Sequence, residues 1–271
     1  MTTATADPFA KFKAAQREVW SVFAPVEIAT TIPAAKLVKF AQIASGQKML
    51  DLACGTGVVA VTAALRGAKV SGLDLSPVLL ERAHHNAATA GVEIDFTEGD
   101  AEALPYPDAS FDVVLSQFGH IFAPRPAVVV KEMLRVLKRG GRIAFSTWPP
   151  DSFPGRMFGF IARQLPPAPG AEPPAPPPQW GDPNIIRERL GAAVTDLTFD
   201  RATLTMPSLS PRHFRAAQEK TIGPLTKLVD SLQNDPDKLA QVRAEFDAMA
   251  RDVLDGNAAH LHFLMARATR A

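Results

Sequence analysis

From Gln47 to Trp148 the sequence keeps returning to one unit: a short apolar run, a turn rich in glycine or serine, then residues at helical spacing. The strand runs are "QKMLDLA", "KVSGLDL", "VEIDFTEG", "FDVVLSQF" and "RIAFSTW". A helix is predicted over 58–66 with Gly67 closing it, and a second starts at Pro77 behind the capping Ser76 and runs to Gly91. A third is predicted over 125–138, where basic Lys138 and Arg139 suit the negative helix end and Gly140-Gly141 stops it. Leu79, Ala83 and Ala87 share one face of the second; Val129, Met133, Val136 and Leu137 point inward from the third. Strands alternating with helices build a parallel sheet covered on both sides. Right-handed crossovers make it doubly wound, with ligands at the carboxyl ends of the strands.

Outside this unit the pattern changes. Phe9, Phe12, Gln16, Val19, Trp20 and Phe23 predict a helix over 9–24 that Pro25 ends, and a second helix is expected from Pro33 to Ala44. After Trp148 comes "LPPAPGAEPPAPPP" (165–178), too rich in proline for a helix or a central strand. A short helix is expected over 184–190. "VTDLTFDRATLTM" and "AHLHFLMARATR" alternate as strands and are read as an antiparallel pair on the sheet. Between them lie helical patterns, the longest with Leu239, Val242, Phe246, Met249 and Val253 on a narrow stripe. The expected division is a helical lid (1–45), a Rossmann-like α/β core (46–148), a Pro-rich connector (149–183), and the rest of the sheet (184–271) with a helical cap at 207–256.

With 271 residues the chain can bury one core and carry a cap. A net charge of +1 gives no electrostatic case for a nucleic-acid or acidic-membrane partner. There is no run of about 18 apolar residues, so no membrane span is expected. The N-terminal "MTTATADPFAKFK" lacks the apolar stretch of a signal peptide. Cys54 is the sole cysteine and permits no internal disulfide, which makes the cytoplasm the expected setting.

The first crossover, "MLDLACGTGVVA" (49–60), carries the chemistry. Gly55, Gly57 and Ala60 fit the dinucleotide fingerprint G-x-G-x-x-G/A, so a nicotinamide coenzyme is one candidate. Asp51 argues against it. An acid on the strand beneath the turn repels a pyrophosphate and favours a cation. Asp74 stands 17 residues after Gly57, at a strand end where a carboxylate can accept from both hydroxyls of a ribose. Asp100, just past the third strand, can read an adenine edge together with the Ala101 N–H. An adenosine joined to a cationic amino acid meets all three demands. S-adenosylmethionine, with an ammonium and a sulfonium, is such a compound.

"MLDLACGTG", "VSGLDLSPVLLERA", "EGDAEALPYPDASFDVVLS" and "EMLRVLKRGGRIAFSTW", in that order, resemble the successive motifs of class I S-adenosylmethionine-dependent methyltransferases. The subtype is similar to the small-molecule enzymes of ubiquinone and menaquinone biosynthesis. The resemblance covers 46–148 closely and the remainder loosely. It implies that Asp51 and Gly55 lie near the methionine end, that Asp74 with Leu75 holds the ribose, and that Asp100, Ala101 and Glu102 surround the adenine. Ser116 and Gln117, ending the fourth strand, would face the methionine part. Ala53 departs from the pattern, standing where the family commonly has glycine; a slight tightening is expected there.

The acceptor side is less explicit. His120, in "SQFGHIF" on the loop after the fourth strand, is the first candidate for a general base, and His213 in the cap the second. Trp20, Phe23, Phe118 and Trp148 are expected to line an apolar acceptor pocket, with Phe122, Phe153 and Trp180 also on the ligand side. The histidines make no metal-binding set, and Cys54 is expected to be a buried, inert thiol. The expected activity is in-line transfer of a methyl group to the O, C or N of a small, apolar or aromatic acceptor. An NAD(P)-dependent oxidoreductase and a non-catalytic cofactor-binding module are the rival readings.

Overall fold

The alternating unit folds as its periodicity requires, and its flanks complete the sheet. The computed structural model describes residues 7–165 and 172–271, so residues 166–171 of the Pro-rich stretch lie outside it. The chain begins with α1 (Ala10–Val19), a 3₁₀ segment (Trp20–Val26) and α2 (Glu27–Phe40). The core follows as β1 (Lys48–Leu52), α3 (Val58–Ala64), β2 (Lys69–Asp74), α4 (Pro77–Ala90), β3 (Asp95–Glu98), β4 (Phe111–Gln117), α5 (Pro126–Val136) and β5 (Leu137–Thr147). Beyond it lie α6 (Phe153–Gln164), α7 (Pro183–Leu190), β6 (Val194–Pro207), α8 (Pro211–Thr221), α9 (Gly223–Ser231), α10 (Pro236–Arg251), β7 (Leu254–Asp255) and β8 (Ala258–Arg270).

The strands lie in the order β3-β2-β1-β4-β5-β8-β6, with β7 paired to β8. β1 to β5 pair in parallel, and β8 runs antiparallel between β5 and β6. This is the Rossmann-like mixed sheet the alternation predicts, and its C-terminal strands form the expected antiparallel pair. The strand order reverses between β1 and β4, which opens a crevice at their carboxyl ends. Helices cover both faces, so Met49, Leu50, Leu52, Val113, Val114 and Leu115 are fully buried.

Four local expectations need correction. Pro33 lies inside α2, not at its start: the helix begins at Glu27, whose carboxylate is held by Arg82 and Asn86 of α4. α5 stops at Val136, two residues early, because Leu137 already pairs with Phe111 and Lys138 reaches Asp112 at 2.7 Å. The third strand is confined to Asp95–Glu98. Within the stretch read as connector, Ser152 caps α6 by accepting from the Gly155 N–H, and Phe153, Met157, Phe158, Phe160 and Ile161 of that helix are buried.

Residues 10–40 are long and apolar enough, by length and composition alone, to reach across a membrane. Here the 3₁₀ segment containing Pro25 interrupts the stretch, and Ala34, Leu37 and Val38 are fully buried in the core.

Candidate functional site

The glycine loop is held from below by two carboxylates. Asp51 on β1 is almost wholly buried; its Oδ2 accepts from the Ala60 N–H at 2.9 Å, while Oδ1 has no partner among the described residues. Burial, with Asp74 adding its charge, pushes the Asp51 carboxyl up to about 8. Asp74 ends β2 and pins the loop: its Oδ2 accepts from Gly55 N–H at 2.7 Å and its Oδ1 from Ser76 N–H at 2.8 Å. Burial raises the pKa of Asp74 and those backbone donors oppose the rise. Ser76 occupies the N-cap of α4 without a side-chain cap bond; Asp74 accepts from the backbone N–H of Ser76 and so fixes the entry to the helix.

The turn needs left-handed backbone at Ala53 (φ 54°), Gly55 (φ 55°) and Gly57 (φ 77°). At Gly57 a Cβ would press on Ala83 and Phe96 at 3.0 Å, so glycine also lets α3 and α4 approach. Cys54 is buried, and burial together with Asp51 and Asp74 raises its thiol far above the usual range, so it stays protonated and inert.

At the next strand end, Asp100 and Ala101 lie on the wall of the same cavity. The Asp100 Oδ1 accepts from the Glu102 N–H at 2.8 Å. Here the N-terminal helix closes down: Lys13 Nζ lies 2.7 Å from Asp7, 2.7 Å from Asp100 and 2.6 Å from Glu102. Burial alone would lower the Lys13 pKa; the three carboxylates reverse it, and the net shift is upward. Asp7, Asp100 and Glu102 are near enough to share one cation, and the Lys13 ammonium takes that place. Arg125 adds a second cation against Glu102 and Asp7.

Beyond the loop the cavity becomes aromatic. Trp20 and Phe23 from the 3₁₀ segment, with Phe118, Phe122, Trp148 and Phe158, line it. Phe118 stacks flat on Trp148, with ring centroids 4.0 Å apart and an interplanar angle of 9°. Trp20 leans on Phe122 at 4.4 Å. Met157, Leu204, Met206, Gln218, Ile222 and Leu261 close the far side.

The structure thus brings Asp51, Ala53, Gly55, Asp74, Leu75, Asp100, Ala101, Gln117, Trp20, Phe23, Phe118 and Trp148 to one cavity. Gln117 donates to the Thr30 carbonyl at 3.2 Å, and its Oε1 is buried without a partner among the described residues.

Other predicted residues are elsewhere. His120 is not on the wall: it is fully buried against Phe145 and Trp180, and neither ring nitrogen has a partner among the described residues. Burial, then the nearby Arg189 charge, pulls its pKa down to about 3. The cause is local. Phe118 takes a left-handed backbone (φ 60°), and the 3₁₀ turn His120–Phe122 presents Phe122 to the cavity and His120 to the core. His213 is exposed at the start of α8, its Nδ1 2.8 Å from Ser210 Oγ. Ser116 lies behind the wall, its Oγ accepting from the His120 N–H. Glu102 faces the two cations, Gly57 faces α4, and Trp180 is core. Sequence reasoning missed Phe12 and Gln16, whose signal was the apolar face of the first helix, and it missed Lys13 and Gln218, for which no local signal exists.

Residues 50–145 match the family described as a methyltransferase domain. An uncharacterised protein of Mycobacterium tuberculosis is 35% identical over 219 residues, covering 80% of this chain and 79% of that one. A demethylmenaquinone methyltransferase of Thermus thermophilus is 40% identical over 119 residues, 43% of this chain and 53% of the relative. Among solved structures, the YcgJ protein from Bacillus subtilis superposes with a TM-score of 0.57 at 20% identity, covering 88% of this chain and 98% of that one; this likeness concerns the fold alone.

Proposed function

Because this chain belongs to the class I S-adenosylmethionine-dependent methyltransferases and its cofactor is S-adenosylmethionine, we propose that it methylates a small acceptor with an apolar or aromatic body. One observation carries the acceptor class: the acid-floored glycine loop and the aromatic chamber are two ends of a single cavity.

The residues present fit the cofactor. Two buried oxygens without partners among the described residues, Asp51 Oδ1 and Gln117 Oε1, offer acceptors to an ammonium at the methionine end. Asp74, beside Leu75, would offer carboxylate oxygens to a ribose, and Asp100 with Ala101, on the same cavity wall, would read an adenine edge. When bound, the cofactor supplies a methyl group already activated as an electrophile on sulfonium sulfur.

The chain's own contribution is position and dryness. Trp148 and Phe118 form a flat wall, Trp20 and Phe122 a second, and together they exclude water and hold a planar body for in-line attack. Along the cavity the ionisable side chains among the described residues are Lys13, Asp51, Cys54, Asp74 and Asp100, all around the glycine loop and the third strand end. The aromatic half carries no base, so the accepting O, C or N brings its own lone pair or ionises unaided. The lid and the cap, α1 above the adenine end and α8 above the chamber, close the site and set specificity.

The fingerprint glycines also suit a nicotinamide coenzyme, but the matched methyltransferase domain and the demethylmenaquinone methyltransferase relative favour S-adenosylmethionine, and no observation favours the coenzyme. The test is incubation with S-adenosylmethionine bearing a deuterated methyl group and a panel of fused-ring phenols and quinols, amino acids and polyamines, with products followed by mass spectrometry. Label in the fused-ring compounds is expected. Label confined to the strongly polar amines would overturn the acceptor class.

A further inference from the structure

Most polar side chains on the cavity wall already have work. Gln16 accepts from the Trp20 indole at 2.7 Å, Thr30 donates to the Glu27 carbonyl, and Gln117 donates to the Thr30 carbonyl. Gln218 differs. It projects from α8 in the cap, is 3% exposed, and lies on the wall among Leu204, Met206, Ile222 and Leu261. Among the described residues, the hydrogen-bond partner of its side chain is the Met206 thioether, 3.8 Å from Nε2. Sulfur of this kind is a weak acceptor and leaves most of a primary amide's capacity unused. A buried amide in apolar surroundings is retained at a cost in stability unless something bonds it.

We infer that Gln218 is a specificity-determining residue, and that it recognises an uncharged hydroxyl or carbonyl oxygen on an otherwise apolar acceptor. The inference rests on the acceptor class proposed above and narrows it. A carboxylate or phosphate on the acceptor would enter this half of the cavity with no cation to meet it, whereas a neutral oxygen finds a donor and an acceptor in one side chain. The amide would then fix which end of a flat molecule faces the cap, and so which atom faces the glycine loop. An apolar analogue would leave the amide unpaired and bind less well.

Equilibrium dialysis of the full chain, saturated with S-adenosylhomocysteine, against 2-naphthol, naphthalene and 2-naphthoate tests this. The quantity read is the ratio of naphthol to naphthalene affinity, because water solvates the naphthol hydroxyl in every case. Gln218→Met keeps the length of the side chain and removes the amide; it should lower that ratio about tenfold while naphthalene binding changes less than about twofold. Gln218→Leu, a second apolar replacement, should do the same, and melting curves establish that each variant is folded. In the wild type, 2-naphthoate should bind weakest of the three. A ratio that moves less than about twofold in both variants overturns the role of Gln218 and leaves the apolar acceptor class standing. Failure of the wild type to retain naphthalene or naphthol overturns that class and this inference together.

Discussion

His120 stands edge-on to Trp180, with ring centroids 4.6 Å apart and planes at 81°, and both of its nitrogens are buried without hydrogen bonds among the described residues. A histidine so placed is a neutral core residue. Its folded pKa of about 3 lies below the ordinary value of about 6.5. Protons therefore bind the unfolded chain in preference between those values. The contribution of neutral His120 to stability is complete above pH of about 6.5 and is lost as pH falls toward 3.

His120→Leu should accordingly flatten the acid side of the stability profile. At pH 4.5 the unfolded state gains on the order of 2–3 kcal/mol from protonating His120, a penalty the variant lacks. Urea midpoints at pH 4.5 and 7.5 check this: the wild type should fall further between them than the variant. Equal falls would mean that His120 is not held neutral. As the residue is off the cavity wall, the variant should also keep its affinity for S-adenosylhomocysteine.

Asp51 shows the opposite sign. Its folded pKa of about 8 is above the unfolded value, so the ligand-free fold favours the protonated acid and loses stability as pH rises from about 4 through 8. A cation beside Asp51 Oδ1 reverses the preference. Binding of S-adenosylhomocysteine at pH 7 should release close to one proton, measured by calorimetry in buffers of different ionisation enthalpy. Asp51→Asn mimics the neutral acid and can still accept from the Ala60 N–H. It should release none, bind the ligand about ten- to a hundredfold more weakly, and melt higher than the wild type at pH 8 without ligand. Undiminished proton release in the variant would assign that proton to another group.

The alternating core was legible because each strand and helix there is set by local periodicity and its turn residues. Asp51, Asp74 and Asp100 were legible for the same reason: each ends or follows a strand that leads to the crevice. His120 was misplaced because its side is set by the left-handed backbone of Phe118 and not by counting from β4. α6 was hidden by prolines nearby, although its own residues carry a cap and an apolar face. The Lys13 cluster and Gln218 depend on pairings between distant segments, such as Lys13 with Asp100, which a single sequence does not encode in any local pattern.

Lys13 tests the closure of the lid. Its side chain is 11% exposed and that of Glu102 only 1%, so the pair is largely removed from water. Deleting one partner of such a pair commonly costs about 3–5 kcal/mol, because the other charge stays buried. In Lys13→Met, Arg125 alone would face Asp7, Asp100 and Glu102. The N-terminal helix should loosen, giving faster tryptic cleavage at Lys11 and Arg17 and weaker S-adenosylhomocysteine binding, while the far-ultraviolet spectrum of the core persists. Unchanged cleavage and affinity would show that α1 is held by its aromatic contacts instead.

Ala53 and Gly119 form the last testable pair. A Cβ on Gly119 would lie 2.5 Å from the Ala53 Cβ and 2.7 Å from the Ala53 carbonyl oxygen, across the mouth of the glycine loop. Gly119→Ala should therefore destabilise by about 1–3 kcal/mol and weaken cofactor binding, since the loop must shift. Ala53 itself carries a left-handed backbone (φ 54°), so Ala53→Gly should relieve about 1 kcal/mol of steric strain, partly offset by the greater freedom of the unfolded chain. The two changes should couple. With Ala53 replaced by glycine, the Cβ clash disappears and the carbonyl clash remains, so the double variant should recover only part of what Gly119→Ala loses. A denaturation cycle over the four proteins measures that coupling. Strict additivity would mean that the carbonyl alone sets the limit, and that the alanine at position 53 does not tighten the loop.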